Sequence, residues 1–349
     1  MKSRIFGAIG AVLLASTILA GAQNSNRAPP PAPAMPPADA DHNAFPDFGY
    51  HEVPGWAKLP AGRKWGGVSG IDIDRDGKSV WVFDRCQTAD DGCATNTTDD
   101  PILKFDQNGN LVKSFGKGQI VYPHGIYVDA QDHVWVADGL SRSGKRGDVV
   151  YEFDQNGKLL RSFGEKGVSG TDTGHFNAVS DVIVAPDGSI FVGDGHDAKT
   201  NDRVLKYDRN GKFLMQWGKV GAGPGEFNPP HGFALDKEGR LYIADRSNNR
   251  IQIFDQQGKF LGEWKQFGRP SGIFITKDDM IYVADSLSNA KTNPGFGNGI
   301  RWGKISDGKV LGYLPWGEYN AIEGVGVDKD GNIFAGFTNV PNFRKFVKN

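Results

Sequence analysis

Two histidines and a glutamate recur at one position of a repeated pattern. Ser69, His124, Ser180, His231, Ser271 and Glu323 each stand directly before an apolar run, in the strings SGIDID, HGIYVD, SDVIVA, HGFALD, SGIFIT and EGVGVD. The even members can all ligate a metal. Two imidazoles and one carboxylate leave coordination positions open, as in catalytic zinc and some non-haem iron sites rather than closed structural zinc. The competing reading is a cluster of hydrogen-bonding side chains that merely lines a channel. A second set follows runs that end in Asp: Arg85 in FDR, Arg246 in ADR and His196 in GDGH. Guanidiniums bind carboxylates through two parallel hydrogen bonds, so Arg85 and Arg246 suit a carboxylate-bearing substrate, unless they only pair with Asp84, Asp245 or nearby carboxylates. His196 is a candidate general base or a fourth ligand.

These residues must be positioned by a repeat. After each slot come a DxDG-like turn, a strand such as WVFD, WVAD, FVGD, YIAD or YVAD, a strand ending near FD, an NGK or QGK turn, and usually a closing FG or WG. Short strands and Gly-rich turns repeating at roughly 40 to 55 residues indicate β-propeller blades rather than a helical solenoid. The fold expected is an all-β, six-bladed β-propeller over residues 49–349. Blades two, four and six are then related by an approximate threefold, which brings His124, His231 and Glu323 together at one channel mouth. The sixth copy stops near Arg344-Lys345-Phe346 without an outer strand, and Tyr50 to Leu59 belongs to no copy. The N-terminal segment is therefore expected to close the last blade, since an unpaired strand edge would otherwise lie exposed.

Upstream of the repeats, Lys2 and Arg4 precede an apolar run from Ile5 to Ala20, and Ala20-Gly21-Ala22 is a small-x-small cleavage site. Residues 1–22 read as a signal peptide, too short to span a bilayer, which implies export to the periplasm or the medium. No Cys follows the cut to take a lipid anchor. Residues 23–48 are rich in Pro and Ala and read as a disordered linker. Net charge falls from −1 to about −3 once Lys2 and Arg4 leave, and no basic run interleaves with aromatics, which argues against nucleic acid as a partner. Cys86 and Cys93 are the two cysteines, and both lie in the loop RCQTADDGC. In an exported protein they are expected to form a disulfide that pins this loop, the alternatives being a pair of free thiols or a metal clip, without the CxxC spacing zinc usually wants.

The strings PHGIYVDAQDHVWVADG, PPHGFALDKEGRLYIADRSNNRIQIFD and RPSGIFITKDDMIYVAD resemble NHL repeats. Residues from about 50 to 349 resemble the bacterial relatives of peptidyl-α-hydroxyglycine α-amidating lyase. That family holds zinc with three histidines from alternate blades, lines the site with two arginines and uses a tyrosine in catalysis. The resemblance places zinc ligands on His124 and His231 and the arginines on Arg85 and Arg246. It also shows departures: the third histidine falls on Glu323 and the tyrosine on His196. The acidic residue that helps hold a calcium in the family falls on Gly324, which weakens the case for calcium. The implied function is metal-dependent lyase chemistry on a small or peptide-like substrate with a carboxylate, with zinc expected and iron the alternative. The rivals are a lactonase-like metal hydrolase and a non-catalytic binding module of the cell envelope.

Overall fold

The computed structural model describes residues 42–45, 49–88, 91–197, 200–317, 321–340 and 342–349, so the expected signal peptide and residues 23–41 and 46–48 of the linker lie outside the described residues. Strand β1 (Tyr50–Glu52) precedes six blades. Blade one is β2 (Val68–Ile73), β3 (Val80–Asp84), β4 (Ile102–Phe105) and β5 (Leu111–Phe115); blade two is β6 (Pro123–Val128), β7 (Val134–Asp138), β8 (Val149–Phe153) and β9 (Leu159–Phe163). Blade three is β10 (Val179–Val184), β11 (Ile190–Asp194), β12 (Arg203–Tyr207) and β13 (Phe213–Trp217); blade four is β14 (Pro230–Leu235), β15 (Leu241–Asp245), β16 (Arg250–Phe254) and β17 (Phe260–Trp264). Blade five is β18 (Pro270–Ile275), β19 (Met280–Asp285), β20 (Gly299–Lys304) and β21 (Val310–Pro315). Blade six is β22 (Ile322–Val327), β23 (Ile333–Phe337) and β24 (Asn342–Lys348), completed by β1.

Ring closure follows the expectation. Tyr50, His51 and Glu52 pair antiparallel with Lys348, Val347 and Phe346. Beyond β1 the chain crosses the seam, where the Trp56 ring sits 6.3 Å from Phe105 of blade one and 5.1 Å from Phe334 of blade six. The N-terminal segment therefore supplies both a strand edge and an aromatic plug. The linker departs from its reading in its described part, because His42 stacks on Phe296 with ring centroids 4.1 Å apart and Asn43 Oδ1 accepts hydrogen bonds from the Gly297 amide and from Arg301.

The second strand of each blade is buried almost throughout, because neighbouring blades cover both its faces. Outer strands alternate between half-buried and exposed positions, as in LVKSF and FLMQW. Core clusters accordingly lie between blades: Trp135, Ala137 and Val150 of blade two pack with Val182, Val192 and Leu205 of blade three. Burying each such aliphatic or aromatic side chain contributes about 1.5–3 kcal/mol. Among the described residues the single helical element is the 3-10 turn Arg246–Asn248, and no helix is long and apolar enough to cross a membrane.

Candidate metal centre

Two local devices deliver the slot residues to the axis. Register shifts at the slot in every inner strand, between Val68 and Gly70, Pro123 and Ile126, Val179 and Asp181, Pro230 and Phe233, Pro270 and Ile273, and Ile322 and Gly324. Such bulges re-aim one side chain out of the ladder. The second device is the terminal Asp of the second strand. Fully buried Asp84, Asp138, Asp194 and Asp245 accept hydrogen bonds from the amides of Gly66, Tyr122, Asn177 and Asn228, two or three residues ahead of their slots. Burial raises the carboxyls of Asp84 to about 6 and Asp138 to about 7. The chain then turns directly into Arg85, Gly139, Gly195-His196 and Arg246.

Where glycine follows the slot in blades one, two, four and five, close packing requires it. A Cβ at Gly232 would run into the Ser271 carbonyl, and one at Gly272 into that of Glu323. The slot serines tie blades together: Ser69 Oγ donates to the carbonyl of Pro123 at 2.8 Å, and Ser180 Oγ to that of Pro230 at 2.5 Å.

Three imidazoles meet at the mouth. The ring centroids of His124 lie 4.6 Å from those of both His196 and His231, and His196 and His231 are 5.0 Å apart. Their candidate ligand atoms all lie within 4.8 Å of one another. Each Nδ1 is committed elsewhere: in His124 it faces the Ser180 carbonyl at 2.5 Å, in His231 the Ser271 hydroxyl at 3.0 Å, and in His196 the Asp197 carboxylate at 3.0 Å. Among the described residues all three Nε2 atoms are buried without a hydrogen-bond partner. Burial holds His124 and His231 well below the usual imidazole range; nearby His196 and Arg85 act in the same direction on His124, and Arg246 on His231. Burial lowers His196 as well. Three neutral imidazoles with inward lone pairs and outward-held Nδ1 atoms fit a divalent metal such as zinc.

The cluster of candidate ligands differs from the one expected from the slots. His124 and His231 come together, but the third member of the cluster is His196 from the loop after β11. Glu323 instead faces the arginines, its Oε2 3.2 Å from Arg85 Nη2 and its Oε1 3.8 Å from Arg246 Nη1. The reason is electrostatic and topological. Buried guanidiniums require a counter-charge, and blade six lies next to blade one, which carries Arg85. Blade three lies between blades two and four, so its loop residue is the natural neighbour of both slot histidines. Both arginines thus pair with a nearby blade carboxylate, as the competing reading allowed, although with Glu323 rather than with Asp84 and Asp245, which are held by Arg63 and Arg250.

Other residues complete the mouth. The Tyr122 ring carries Arg85 at 4.2 Å and Arg142 at 4.4 Å from its centroid. Arg269, lowered to about 10 chiefly by burial, stands near Arg246 and Glu323 and donates to the Ser286 carbonyl. Tyr122 was legible as the aromatic two places before a slot histidine, and Asp197 as the acid after His196; nothing in the sequence marked Arg142 or Arg269. Cys86 and Cys93 form a disulfide, with Cα atoms 5.1 Å apart, directly after Arg85. Behind the slot ring the channel encloses about 850 Å³, lined by apolar residues including Ile71, Ile126, Phe233 and Val325. Asp72 and Asp181 also line it, and each binds the amide of a neighbouring inner strand, Val128 or Phe233.

Fold and site together define a six-bladed propeller with a triple-imidazole centre flanked by a carboxylate and two arginines. Residues 170–291 match the model of a family described as "6-bladed beta-propeller". The chain is homologous to amidating lyases and NHL-repeat proteins. It is 32% identical over 197 residues to a probable peptidyl-alpha-hydroxyglycine alpha-amidating lyase of Caenorhabditis elegans, covering 52% of this chain and 53% of that protein. It is 34% identical over 202 residues to peptidyl-glycine alpha-amidating monooxygenase A of Xenopus laevis, covering 52% of this chain and 21% of that one. With human NHL repeat-containing protein 3 it shares 32% identity over 150 residues, 42% of each chain. The chain thus spans from about a fifth to about half the length of these relatives. Among solved structures, a streptogramin B lyase superposes with a TM-score of 0.54 at 15% identity over 86% of this chain and 99% of that one, a likeness of fold alone.

Proposed function

We propose that the protein is an exported, metal-dependent lyase that cleaves the C–N bond of a carbinolamide, an α-hydroxyglycine-like centre on a small or peptide-like molecule bearing a carboxylate. The observation that carries this reading is the set of three buried, unpartnered Nε2 atoms on His124, His196 and His231. Zinc suits that donor set best, with iron(II) the alternative. A metal held there supplies Lewis-acid polarisation of a substrate oxygen. The reaction itself is taken from the activity for which the amidating lyases are named, and the disulfide supports export.

Arg85 and Arg246 orient the substrate carboxylate and offset charge that develops as the bond breaks. In this reading the substrate carboxylate displaces Glu323 from the guanidiniums, and Glu323 takes the carbinol O–H proton. The O–H electron pair becomes the new C=O bond, the C–N pair departs with the amide nitrogen, and the proton passes to that nitrogen. The products are a primary amide and an aldehyde acid. His196, read from the sequence as a proton carrier or fourth ligand, is assigned here to the metal, because its Nδ1 is held by Asp197.

The test is to incubate the zinc-loaded protein with an N-acyl-α-hydroxyglycine and measure amide and glyoxylate release. Turnover that falls at least ~100-fold in Arg85→Ala, with metal retained, is the expected result. Stoichiometric metal without turnover would remove the reaction assignment. Absence of metal binding would leave the non-catalytic binding module as the better account.

A further inference from the structure

Blade two holds a second group of ligating side chains, at the opposite end of β6 from His124. Asp129, His133 and Glu152 place their candidate ligand atoms within 4.8 Å of one another. Asp129 lies five residue steps beyond His124, roughly 16 Å along an extended strand, so the two groups are distinct.

Comparison with blade one shows what is unusual. There Trp81 pairs in register with Lys104, and the Trp81 indole and the Lys104 ammonium both donate to Asp74, at 3.0 and 2.8 Å. In blade two Trp135 occupies the place of Trp81 and donates to Asp129 at 2.8 Å, but its register partner is Glu152. A carboxylate thus replaces the ammonium. Asp129 and Glu152 are 2% and 4% exposed, and two carboxylates are costly at that depth without matching positive charge. Arg161 Nε donates to Glu152 Oε2 and supplies one such charge.

His133 sits where a second can bind. Its Nδ1 lies 2.7 Å from Glu152 Oε1 and 3.6 Å from Asp129 Oδ2. Donor atoms around a divalent ion with bonds of about 2.1 Å stand about 3.0 Å apart in an octahedron and about 3.4 Å in a tetrahedron. The two distances bracket that range. The remaining lone pairs are held: Asp129 Oδ1 accepts the amides of Gln131 and His133, while Trp135 and Arg161 brace the two carboxylates. The His133 side chain is 33% exposed, which leaves room for water ligands and an entry path.

We propose that Asp129, His133 and Glu152 form a binding site for a divalent first-row metal ion, separate from the triple-imidazole centre, that clamps the 129–133 turn to β8. One nitrogen and two carboxylate oxygens suit Zn²⁺ or Mn²⁺ rather than a soft ion such as Cu⁺.

Zinc is the probe. Metal-stripped full-length protein is titrated with zinc against a chromophoric chelator, alongside Glu152→Lys and His133→Ala. Glu152→Lys rebuilds the lysine of blade one, so its fold is protected and its metal-free melting temperature should equal or exceed that of wild type. Each variant should bind one equivalent fewer than wild type, and only wild type should retain the zinc-induced rise in melting temperature that this clamp adds. If wild type and Glu152→Lys bind the same number of zinc ions, the three groups form a proton-held ion pair and the proposal is overturned. Wild type binding a single ion that Glu152→Lys loses would uphold this site and defeat the triple-imidazole assignment, so the two readings fail separately.

Discussion

Glu323 of the last blade reaches across the ring seam to within 3.2 Å of Arg85 of the first, with both side chains almost wholly buried. The sixth slot therefore serves the guanidiniums rather than the imidazoles. Glu323→Gln should retain metal, whereas His124→Ala, His231→Ala or His196→Ala should each weaken zinc binding by more than ~100-fold, because a three-ligand site has no redundancy. Elemental analysis after dialysis checks this. A Glu323→Gln protein that loses its metal while His196→Ala keeps it would restore the ligand set read from the slots.

The same contact makes Glu323 a competitor for any carboxylate that docks on Arg85 and Arg246. Glu323→Gln should bind a simple carboxylate such as N-acetylglycine ~10-fold more tightly, while Arg246→Lys, which cannot present a planar fork, should bind it ~10-fold more weakly. Calorimetric titration on the metal-loaded proteins reads both. Unchanged affinity in the two variants would place the carboxylate site elsewhere.

Closure by β1 makes a stability prediction. Deleting residues 49–60 removes the pairing with β24 and the Trp56 plug at the seam, for a loss of several kcal/mol. Urea unfolding should show a markedly lower midpoint. An unchanged midpoint would mean that blade six is stable without its outer strand.

The Cys86–Cys93 bond closes a short loop, so the chain-entropy model assigns it about 2–3 kcal/mol. Its larger effect should fall on activity, through the Arg85 that precedes it. Cys86→Ser/Cys93→Ser should lose a few kcal/mol of stability and raise KM for the carboxylate substrate. Thiol labelling of unreduced, denatured wild type should find no free cysteine.

Asp72 and Asp181 carry the pH dependence of the channel. Burial raises both to about 7 from an ordinary value of 3.8. A carboxyl raised in the folded state contributes stability that is present below its unfolded pKa and lost as pH rises to the folded one. Stability owed to these groups should therefore fall between about pH 4 and 7. Asp181→Asn should flatten that slope by up to about 1.4 kcal/mol per pH unit, the linkage of one proton. Thermal melts across that range in wild type and variant test the sign. An Asp181→Asn protein whose melting temperature has the same pH slope as wild type would refute it.

The repeat itself was legible in the sequence. Six slots, alternating strands and Gly-bearing turns specify six blades because each pattern is local, and the unpaired Tyr50–Leu59 segment announced the closing strand because a blade short of one strand must find it. His124, His231, Arg85 and Arg246 were readable for the same reason: each occupies a repeated position whose direction the blade geometry sets. What the tertiary structure decided was which side chains touch. His196 and Glu323 exchanged their expected neighbours, since the order of blades around a closed ring puts the loop of blade three between two histidines and the slot of blade six beside an arginine. The two buried guanidiniums then supply the counter-charge that a buried carboxylate needs. The inversion at Glu152 was likewise invisible along the chain; only the register of β7 against β8 brings that carboxylate against Asp129 and His133.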